Sequence, residues 1–331
     1  MVLPQVGVVG AGVTGTRVVA HLLNFGISDL VVADRNRYKA QQLASTYRSA
    51  LNSVKQIELG ELSSCALVVL ACAGSHESLV AQLVGTGTHV ISMSDSLLDA
   101  MQLTHVDDFA KMKSSVVVIG ATASPGLTGL LVSHAATFFD EIDEVHVALH
   151  GTGGPNCAHQ HHKALSRHSL GWHDDDWLKR PAGSGRELCW FPEPVGARDC
   201  YRAEMSDPYL LRFSFPQLHR ITARMSATRR DRLTARLPMM SPPHAEGGIG
   251  AIRVEIRGWK HGSRKVIVFG VAERIAQIAA VVAGSTAFHL LTEPIETRGI
   301  LFTGSNKFPN IPVLGHILRS GITLHEFVGK P

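Results

Sequence analysis

Short apolar runs alternate with stretches of helical periodicity through the first 140 residues. The apolar runs are the length of strands, and the longest is apolar at every position, as expected for a parallel strand buried on both faces. The predicted strands are 6–9, 30–33, 55–59, 66–71, 88–92 and 115–120. The segments between them have apolar residues at helical spacing. The predicted helices are 16–23, 37–51, 77–84, 96–112 and 125–139. This alternation predicts an α/β fold with a doubly wound parallel sheet of the Rossmann type.

The second half of the chain has a different pattern, with successive strands and few long helices between them. The predicted strands are 143–150, 209–215, 220–226, 252–258 and 265–272. A glycine turn at 260–263 predicts a hairpin, and the segment 184–202 is predicted to be a loop. A helix is predicted at 277–289, within an apolar stretch at 275–291 that we expect to be buried. A second α+β domain with a mixed or antiparallel sheet follows from this pattern. We expect domain limits of 1–140 for the first domain, with 305–331 returning to it, and 141–304 for a substrate and dimerisation domain.

A glycine motif, G-x-G-x-x-G, follows the first predicted strand directly. Gly10 permits a tight turn, Gly12 lets a ligand approach the backbone, and Gly15 lets the next helix lie close to the strand. Amides at the helix start, with Val13 and Thr14, would then face the phosphates of a dinucleotide. The alternative is a structural glycine turn in another doubly wound protein.

An acidic residue ends the second strand, which strengthens the dinucleotide interpretation. Asp34 is placed to accept hydrogen bonds from the adenosine ribose hydroxyls. Its carboxylate would repel the 2′-phosphate of NADP, so NAD is slightly favoured. Arg35 can stack on the adenine or meet a 2′-phosphate, which keeps NADP open.

Residues after three later strands complete the predicted cofactor site, because ligands bind at the carboxyl ends of parallel strands. They are Ala71, Cys72 and Ala73 after the fourth strand, Ser94 after the fifth, and Ser124, Pro125 and Gly126 after the sixth. For the last three we expect Ser124 to cap a helix whose first turn holds Pro125. Plain packing is the alternative role of this helix start.

Composition narrows the class of protein. The 331 residues are 45% hydrophobic and 18% charged, with a net charge of +4, which is typical of a soluble globular protein and argues against nucleic-acid binding. Five cysteines form no C-x-x-C pair, and no signal peptide precedes the first strand. We expect reduced thiols, a cytoplasmic location and no membrane contact.

The chain resembles the saccharopine dehydrogenase-like family of oxidoreductases, in an uncharacterised bacterial branch. The residues that support the resemblance are 10–15, 71–74 and 124–128, together with a terminal helix and strand at 312–327 and the segment 183–192. The resemblance implies a nicotinamide cofactor and hydride transfer to or from a small substrate, with chemistry at the carbon–nitrogen bond of an amino acid or imine. Reduction of a carbonyl or enoyl group in secondary metabolism is an alternative, and so is a non-catalytic dinucleotide-binding sensor or scaffold.

The catalytic candidates lie in the second half, where hydride transfer needs a group that supplies or accepts a proton. His150, at the end of a predicted strand, comes first, followed by Tyr201 and Asp199. An anionic substrate would be held by Arg198 or Arg202, with Asn156 as a further polar contact. The histidines at 159–173 do not have the H-E-x-x-H spacing, and we expect no metal. A homodimer is the expected assembly.

Overall fold

The computed structural model describes residues 3–294 and 296–327, and the chain forms two compact units. The first unit comprises the chain up to Thr122 together with Ala279–Phe302. The second comprises Ala123–Ile278 together with the chain from Thr303 onward.

Sixteen strands are found in the described residues. They are β1 Val6–Val9, β2 Asp29–Ala33, β3 Ser53–Gln56, β4 Leu67–Leu70, β5 His89–Ser92, β6 Val116–Ile119, β7 Glu141–His150, β8 His168–His173, β9 Asp176–Pro181, β10 Glu187–Trp190, β11 Ala197–Arg202, β12 Arg220–Ser226, β13 Ile249–Lys260, β14 Ser263–Arg274, β15 Gly299–Phe302 and β16 His325–Phe327.

Eleven α-helices connect them in the same part of the chain. They are α1 Val13–Asn24, α2 Arg37–Tyr47, α3 Glu77–Gly85, α4 Leu97–Leu103, α5 Asp107–Met112, α6 Leu127–Ala136, α7 Pro155–Ala164, α8 Asp207–Ser214, α9 Arg229–Thr234, α10 Ile275–Thr292 and α11 Asn310–Arg319.

The first unit contains a parallel sheet of seven strands in the order β15-β6-β5-β4-β1-β2-β3. Strands β1, β4 and β6 are buried along their whole length, which explains their uninterrupted apolar sequences. The predicted Rossmann sheet is therefore confirmed. A seventh strand, β15, was not predicted; it joins the edge of the sheet beside β6.

The second unit contains a mixed sheet of nine strands. Its main order is β10-β11-β12-β7-β13-β14-β16, and β8 pairs with β12 and β9. The central strand β7 runs parallel to β12 and antiparallel to β13. Helices α6 and α8 pack against this sheet. The predicted second α+β domain is thus confirmed.

Two segments of the second half differ from the prediction. The segment 209–215, predicted to be a strand, lies mostly in α8, because Asp207 and Pro208 form a helix start. The segment 184–202, predicted to be a loop, contains the hairpin strands β10 and β11. Its prolines and glycines lie in the turns that flank these strands. Their frequency favoured a loop, so the two short strands were not predicted.

The domain limits also differ from those predicted. The segment that returns to the first unit is Ala279–Phe302, because β15 pairs with β6. The end of the chain belongs to the second unit instead, where β16 pairs with β14. Helix α10 is long and apolar enough to cross a membrane, but 72% of it is buried within the protein, as in a core helix. In the first unit it contacts α1 through stacked rings of Phe25 and Phe288, 4.9 Å apart.

Two helical glycines of the second unit provide a test of this packing. A Cβ at Gly129, in α6, would overlap the Thr303 carbonyl oxygen and lie 2.7 Å from its Oγ1. We expect Gly129→Ala to lower the free energy of unfolding by roughly 1–3 kcal/mol, because backbone cannot yield as a side chain can. Urea denaturation followed by circular dichroism measures this loss.

Gly315→Ala is the matched control. A Cβ at Gly315, in α11, would meet only the flexible end of Arg319, at 3.3 Å. This variant should be as stable as the wild type or slightly more stable, since alanine favours a helix by about 1 kcal/mol over glycine. Equal stabilities for the two variants would contradict the packing described for α6.

Candidate functional site

The glycine turn of the first unit is built from backbone contacts that exclude side chains. Gly10 has a φ of +109°, and a Cβ there would lie 2.7 Å from the Ala71 carbonyl oxygen. A Cβ at Gly15 would overlap the Gly10 carbonyl oxygen. Both positions therefore require glycine. The structure brings Gly10, Gly15 and Ala71 together at the carboxyl ends of β1 and β4.

Gly12 differs from these two glycines, because its surroundings are open. No atom of the described residues lies within 4 Å of a Cβ built at Gly12, and its φ of −86° is available to any residue. Gly12 is the N-cap of α1 and makes no side-chain cap. Val13 and Thr14 follow in the first turn, which has no acidic residue. This helix end, with its dipole, can receive an anion.

Asp34 is fixed beside the glycine turn by two backbone amides. Its Oδ2 accepts a hydrogen bond from the Ala11 amide at 2.7 Å, and its Oδ1 accepts one from the Asn36 amide at 2.7 Å. Each carboxylate oxygen has a further lone pair with which to accept a hydroxyl proton. Arg35, the next residue, is exposed. The predicted proximity of Asp34 to the glycine turn is therefore observed.

A buried histidine forms hydrogen bonds that fix the loop after β4. The Nε2 of His76 lies 3.0 Å from the Cys72 carbonyl oxygen, and its Nδ1 lies 2.8 Å from Ser92 Oγ. Because a carbonyl only accepts, Nε2 carries the proton. Burial raises the pKa of the Cys72 thiol to about 11, so the thiol is protonated at neutral pH. Ala73 is half-buried, and Ser94, after β5, is buried.

The helix start at Ser124, Pro125 and Gly126 lies in the second unit. The N-cap of α6 is Gly126, with a φ of +131°, so Ser124 is not the cap and Pro125 precedes the helix. The Ser124 hydroxyl instead donates to Asp207 Oδ2 at 2.8 Å, and the Thr128 hydroxyl donates to Oδ1 at 2.7 Å. Asp207 is 1% exposed. This buried carboxylate, which the sequence analysis missed, fixes the loop.

His150 ends β7 and forms a pair with a serine of the neighbouring strand. Its Nδ1 lies 2.7 Å from Ser226 Oγ, and its ring lies near Phe191. Burial lowers the pKa of His150 below its ordinary value, and the positive charge of Arg198 lowers it further. Within the described residues, its Nε2 has no hydrogen-bond partner. That nitrogen is free to exchange a proton with a ligand.

A second histidine on β7 shows why His150 is the better candidate. The Nδ1 of His146 lies 2.8 Å from Thr222 Oγ1, in the same register as the His150 pair. Its Nε2, however, lies 3.0 Å from Glu144 Oε2. Both nitrogens of His146 are engaged, so it has none to offer a ligand.

Tyr201 and Asp199 do not join His150. In the antiparallel register Cys200 faces Ser226, so Tyr201 and Asp199 point to the opposite side of the sheet. Tyr201 is buried, and the Arg232 guanidinium lies 4.1 Å above its ring. Asp199 forms an ion pair with Arg186 at 2.9 Å. The structure therefore separates His150 from Tyr201 and Asp199.

The predicted substrate-binding residues also separate. Arg198 is exposed and acts electrostatically on His150. Arg202, on the same side of β11, is half-buried and donates to Ser184 Oγ at 3.4 Å. Asn156 is exposed in the first turn of α7. Of the three, Arg198 has an electrostatic link to His150.

Part of the first unit is similar to a known family. Residues 3–89 match a family model described as shikimate / quinate 5-dehydrogenase. The match extends from before β1 to the first residue of β5. It includes the glycine turn, Asp34 and the loop after β4.

Solved structures extend the likeness to the whole chain. Apo saccharopine dehydrogenase (L-Glu forming) from Saccharomyces cerevisiae aligns with a TM-score of 0.72 and 11% identity, over 98% of this chain and 100% of that one. C. glutamicum DAP dehydrogenase in complex with DAP has a TM-score of 0.52 and 11% identity, over 97% and 100%. An engineered D-amino acid dehydrogenase bound to NADP+ has a TM-score of 0.51 and 12% identity, over 93% of this chain and 95% of that one. The chain shares the fold of saccharopine dehydrogenase, and the predicted resemblance is confirmed at this level.

The buried carboxylate of Asp207 provides the test of the second-unit loop. Asp207→Ala leaves the Ser124 and Thr128 hydroxyls without their acceptor, and each buried unpaired group costs about 1–3 kcal/mol. We expect a clear fall in the urea midpoint. Asp207→Asn keeps one acceptor oxygen and should lose less. If Asp207→Ala unfolds at the wild-type urea concentration, the carboxylate does not fix the loop.

Proposed function

We propose that this protein is an NAD(P)-dependent oxidoreductase that transfers hydride at the carbon–nitrogen bond of a small amino-acid or imine substrate. The observation that supports this most strongly is the glycine turn. Side chains are excluded from it at Gly10 and Gly15 by the protein's own backbone, whereas the space above Gly12 is open. An open glycine at a helix start is what a pyrophosphate requires.

The first unit supplies the dinucleotide contacts in this proposal. The amides of Gly12, Val13 and Thr14 would hold the pyrophosphate, and Asp34 would accept hydrogen bonds from the adenosine ribose. The two amides that hold Asp34 orient its carboxylate in advance. NAD is slightly preferred to NADP, because a 2′-phosphate would meet this negative charge. Arg35 is exposed and available to the adenine.

The second unit supplies proton transfer. In the oxidative direction, His150 Nε2 would accept the proton that the substrate amine releases as an imine forms, and the nicotinamide would supply the acceptor for the hydride from the α-carbon. A lowered pKa keeps His150 neutral at pH 7, as a base must be. Arg198 holds the substrate carboxylate near this ring. Solved structures of the same fold include dehydrogenases for saccharopine, DAP and D-amino acids, which supports an amino-acid substrate.

Other assignments stay predictions. They are the cofactor roles of Ala71, Cys72, Ala73, Ser94, Ser124, Pro125 and Gly126, the catalytic roles of Tyr201 and Asp199, the contact of Asn156 with substrate, the homodimer and the cytoplasmic location.

Gly12→Ala separates ligand binding from folding. In the protein alone the added methyl meets nothing, so the urea midpoint should stay at its wild-type value. A pyrophosphate against the Gly12 backbone would meet that methyl, and we expect the Kd for NADH to rise about tenfold or more, a loss of at least about 1.4 kcal/mol. Titration of NADH fluorescence measures the Kd.

Gly60→Ala is its control, because Gly60 is also open on the protein's side but lies outside the glycine turn. This variant should bind NADH like the wild type. An unchanged Kd in Gly12→Ala would show that the pyrophosphate does not lie against this backbone.

The proposed activity is tested by screening L- and D-amino acids with NAD+ and NADP+, following reduced cofactor at 340 nm. For the active substrate, kcat/KM should rise with pH through the pKa of His150, which burial lowers below the ordinary value for histidine, and then level off. This direction follows because the neutral ring accepts the proton. His150→Asn should lower kcat by about 10²–10⁴-fold and remove this acid limb.

His146→Gln is the matched control on the same strand, and it should retain both turnover and the acid limb. An acid limb that persists in His150→Asn would exclude His150 as the base. Tight cofactor binding without turnover across the panel would favour the non-catalytic sensor.

A further inference from the structure

Two arginines face each other across neighbouring strands of the second unit. Arg202 of β11 lies directly opposite Arg224 of β12 in the antiparallel register. Opposed residues of such a pair have Cβ atoms about 5 Å apart, and like charges placed there destabilise a sheet. The arrangement therefore costs stability in the protein alone.

Arg224 is well compensated. Its Nε lies 2.6 Å from Glu187 Oε2, and its Nη1 donates to the Gly185 carbonyl at 2.6 Å. Only 15% of its side chain is exposed. The guanidinium of Arg224 thus has both a carboxylate and a carbonyl oxygen as partners.

Arg202 has no such compensation. Within the part of the chain that the structure describes, its hydrogen bond is a long one to Ser184 Oγ, at 3.4 Å, and no carboxylate pairs with it. Burial lowers the pKa of Arg202, and the charges of Arg224 and Arg180 lower it further. The negative charge of Glu187 opposes these effects, but its carboxylate contacts Arg224 and not Arg202. A half-buried guanidinium that no carboxylate contacts is costly, and an anion would relieve that cost.

The turn beside Arg202 leaves room for its guanidinium. A Cβ at Gly185 would overlap the Arg202 guanidinium, and the φ of Gly185 is +61°. Glycine at this position lets the planar end of Arg202 lie against the backbone. A planar guanidinium held in this way can donate hydrogen bonds to two oxygens of one anion.

This arginine is separate from the His150 pair. Between Arg198 and Arg202 on the same side of β11 lies Cys200, which is fully buried in an apolar cluster with Cys189, Phe191 and Val195. The arginine that acts on His150 is Arg198. Arg198 and Arg202 therefore lie on either side of this apolar cluster, and Arg202 is not part of the His150 pair.

We propose that Arg202, with Arg224 directly opposite it on the neighbouring strand, is an oxyanion-binding site for a carboxylate or phosphate group. The anion is either a free ion or an acidic group of a larger ligand, since both present the same oxygens to a guanidinium. Binding at this site does not depend on hydride transfer, and the site stands if the proposed function fails.

The test follows thermal unfolding of the full chain while sodium phosphate, or sodium acetate, replaces chloride at constant ionic strength. A ligand that binds the folded state raises Tm in a saturable way. We expect such a rise in the wild type, with the apparent Kd weakened about tenfold or more in Arg202→Gln, because a charged hydrogen bond is lost. Gly185→Ala should also weaken it, by displacing the guanidinium.

Arg229→Gln is the control, because Arg229 is an exposed arginine of α9 outside the cluster. It removes the same charge and should retain the wild-type response to anions. Any phosphate that binds at the glycine turn should bind equally in both variants, so it does not contribute to the difference between them. Without added anion, Arg202→Gln should unfold at the wild-type temperature or above it, because the repulsion from Arg224 is removed. A merely structural Arg202 would give a lower Tm instead.

Competition between substrate and phosphate identifies the source of the anion. If a substrate found by the amino-acid screen weakens the Arg202-dependent phosphate response, the site holds an acidic group of that substrate; if it does not, the site holds a separate anion. The proposal is overturned if neither phosphate nor acetate gives a saturable rise, or if Arg202→Gln responds like Arg229→Gln.

Discussion

A backbone contact between Gly10 and Gly15 is the constraint on which the first unit depends. The two residues are so close that no side chain fits at position 15, and this contact fixes the start of α1 at the carboxyl end of β1. Gly10 is in turn closed against Ala71, which places the end of β4 beside the same turn. The open position above Gly12 exists because its neighbours are fixed in this way. Asp34 extends the arrangement, since it accepts the Ala11 amide from within the turn.

The second unit depends on a different constraint, the register of two parallel strands. Because β7 and β12 run parallel, each histidine on one side of β7 meets a hydroxyl residue of β12, once at Thr222 and once at Ser226. In the first pair, Glu144 engages the remaining nitrogen of His146. In the second pair, Nε2 of His150 stays available. The same register determines which residues of β11 lie on the His150 side, so that Arg198 and Arg202 do and Tyr201 does not. The strand register thus decides which of several residues with similar chemistry lie beside His150, and the sequence alone does not show this.

Local patterns predicted the first unit well, because each of its features is a local one. The apolar strands, the glycine spacing and the acid at the end of β2 all lie within short stretches, and the structure brings them together as expected. Strand β15 was missed because its pairing with β6 joins residues about 180 positions apart, which no local pattern shows. Tyr201 and Asp199 were chosen for their chemistry, but their side of the sheet depends on a register set by distant strands. Asp207 was overlooked for the same reason, since its partners Ser124 and Thr128 lie about 80 positions earlier.

The central claim is that the glycine turn of the first unit binds a nicotinamide dinucleotide. Isothermal titration calorimetry of the wild-type chain with NADH, and separately with NADPH, tests it most directly. We expect saturable binding of one dinucleotide per chain, with NADH the tighter because Asp34 disfavours a 2′-phosphate. Absence of binding for both dinucleotides, in a chain shown to be folded by circular dichroism, would contradict it.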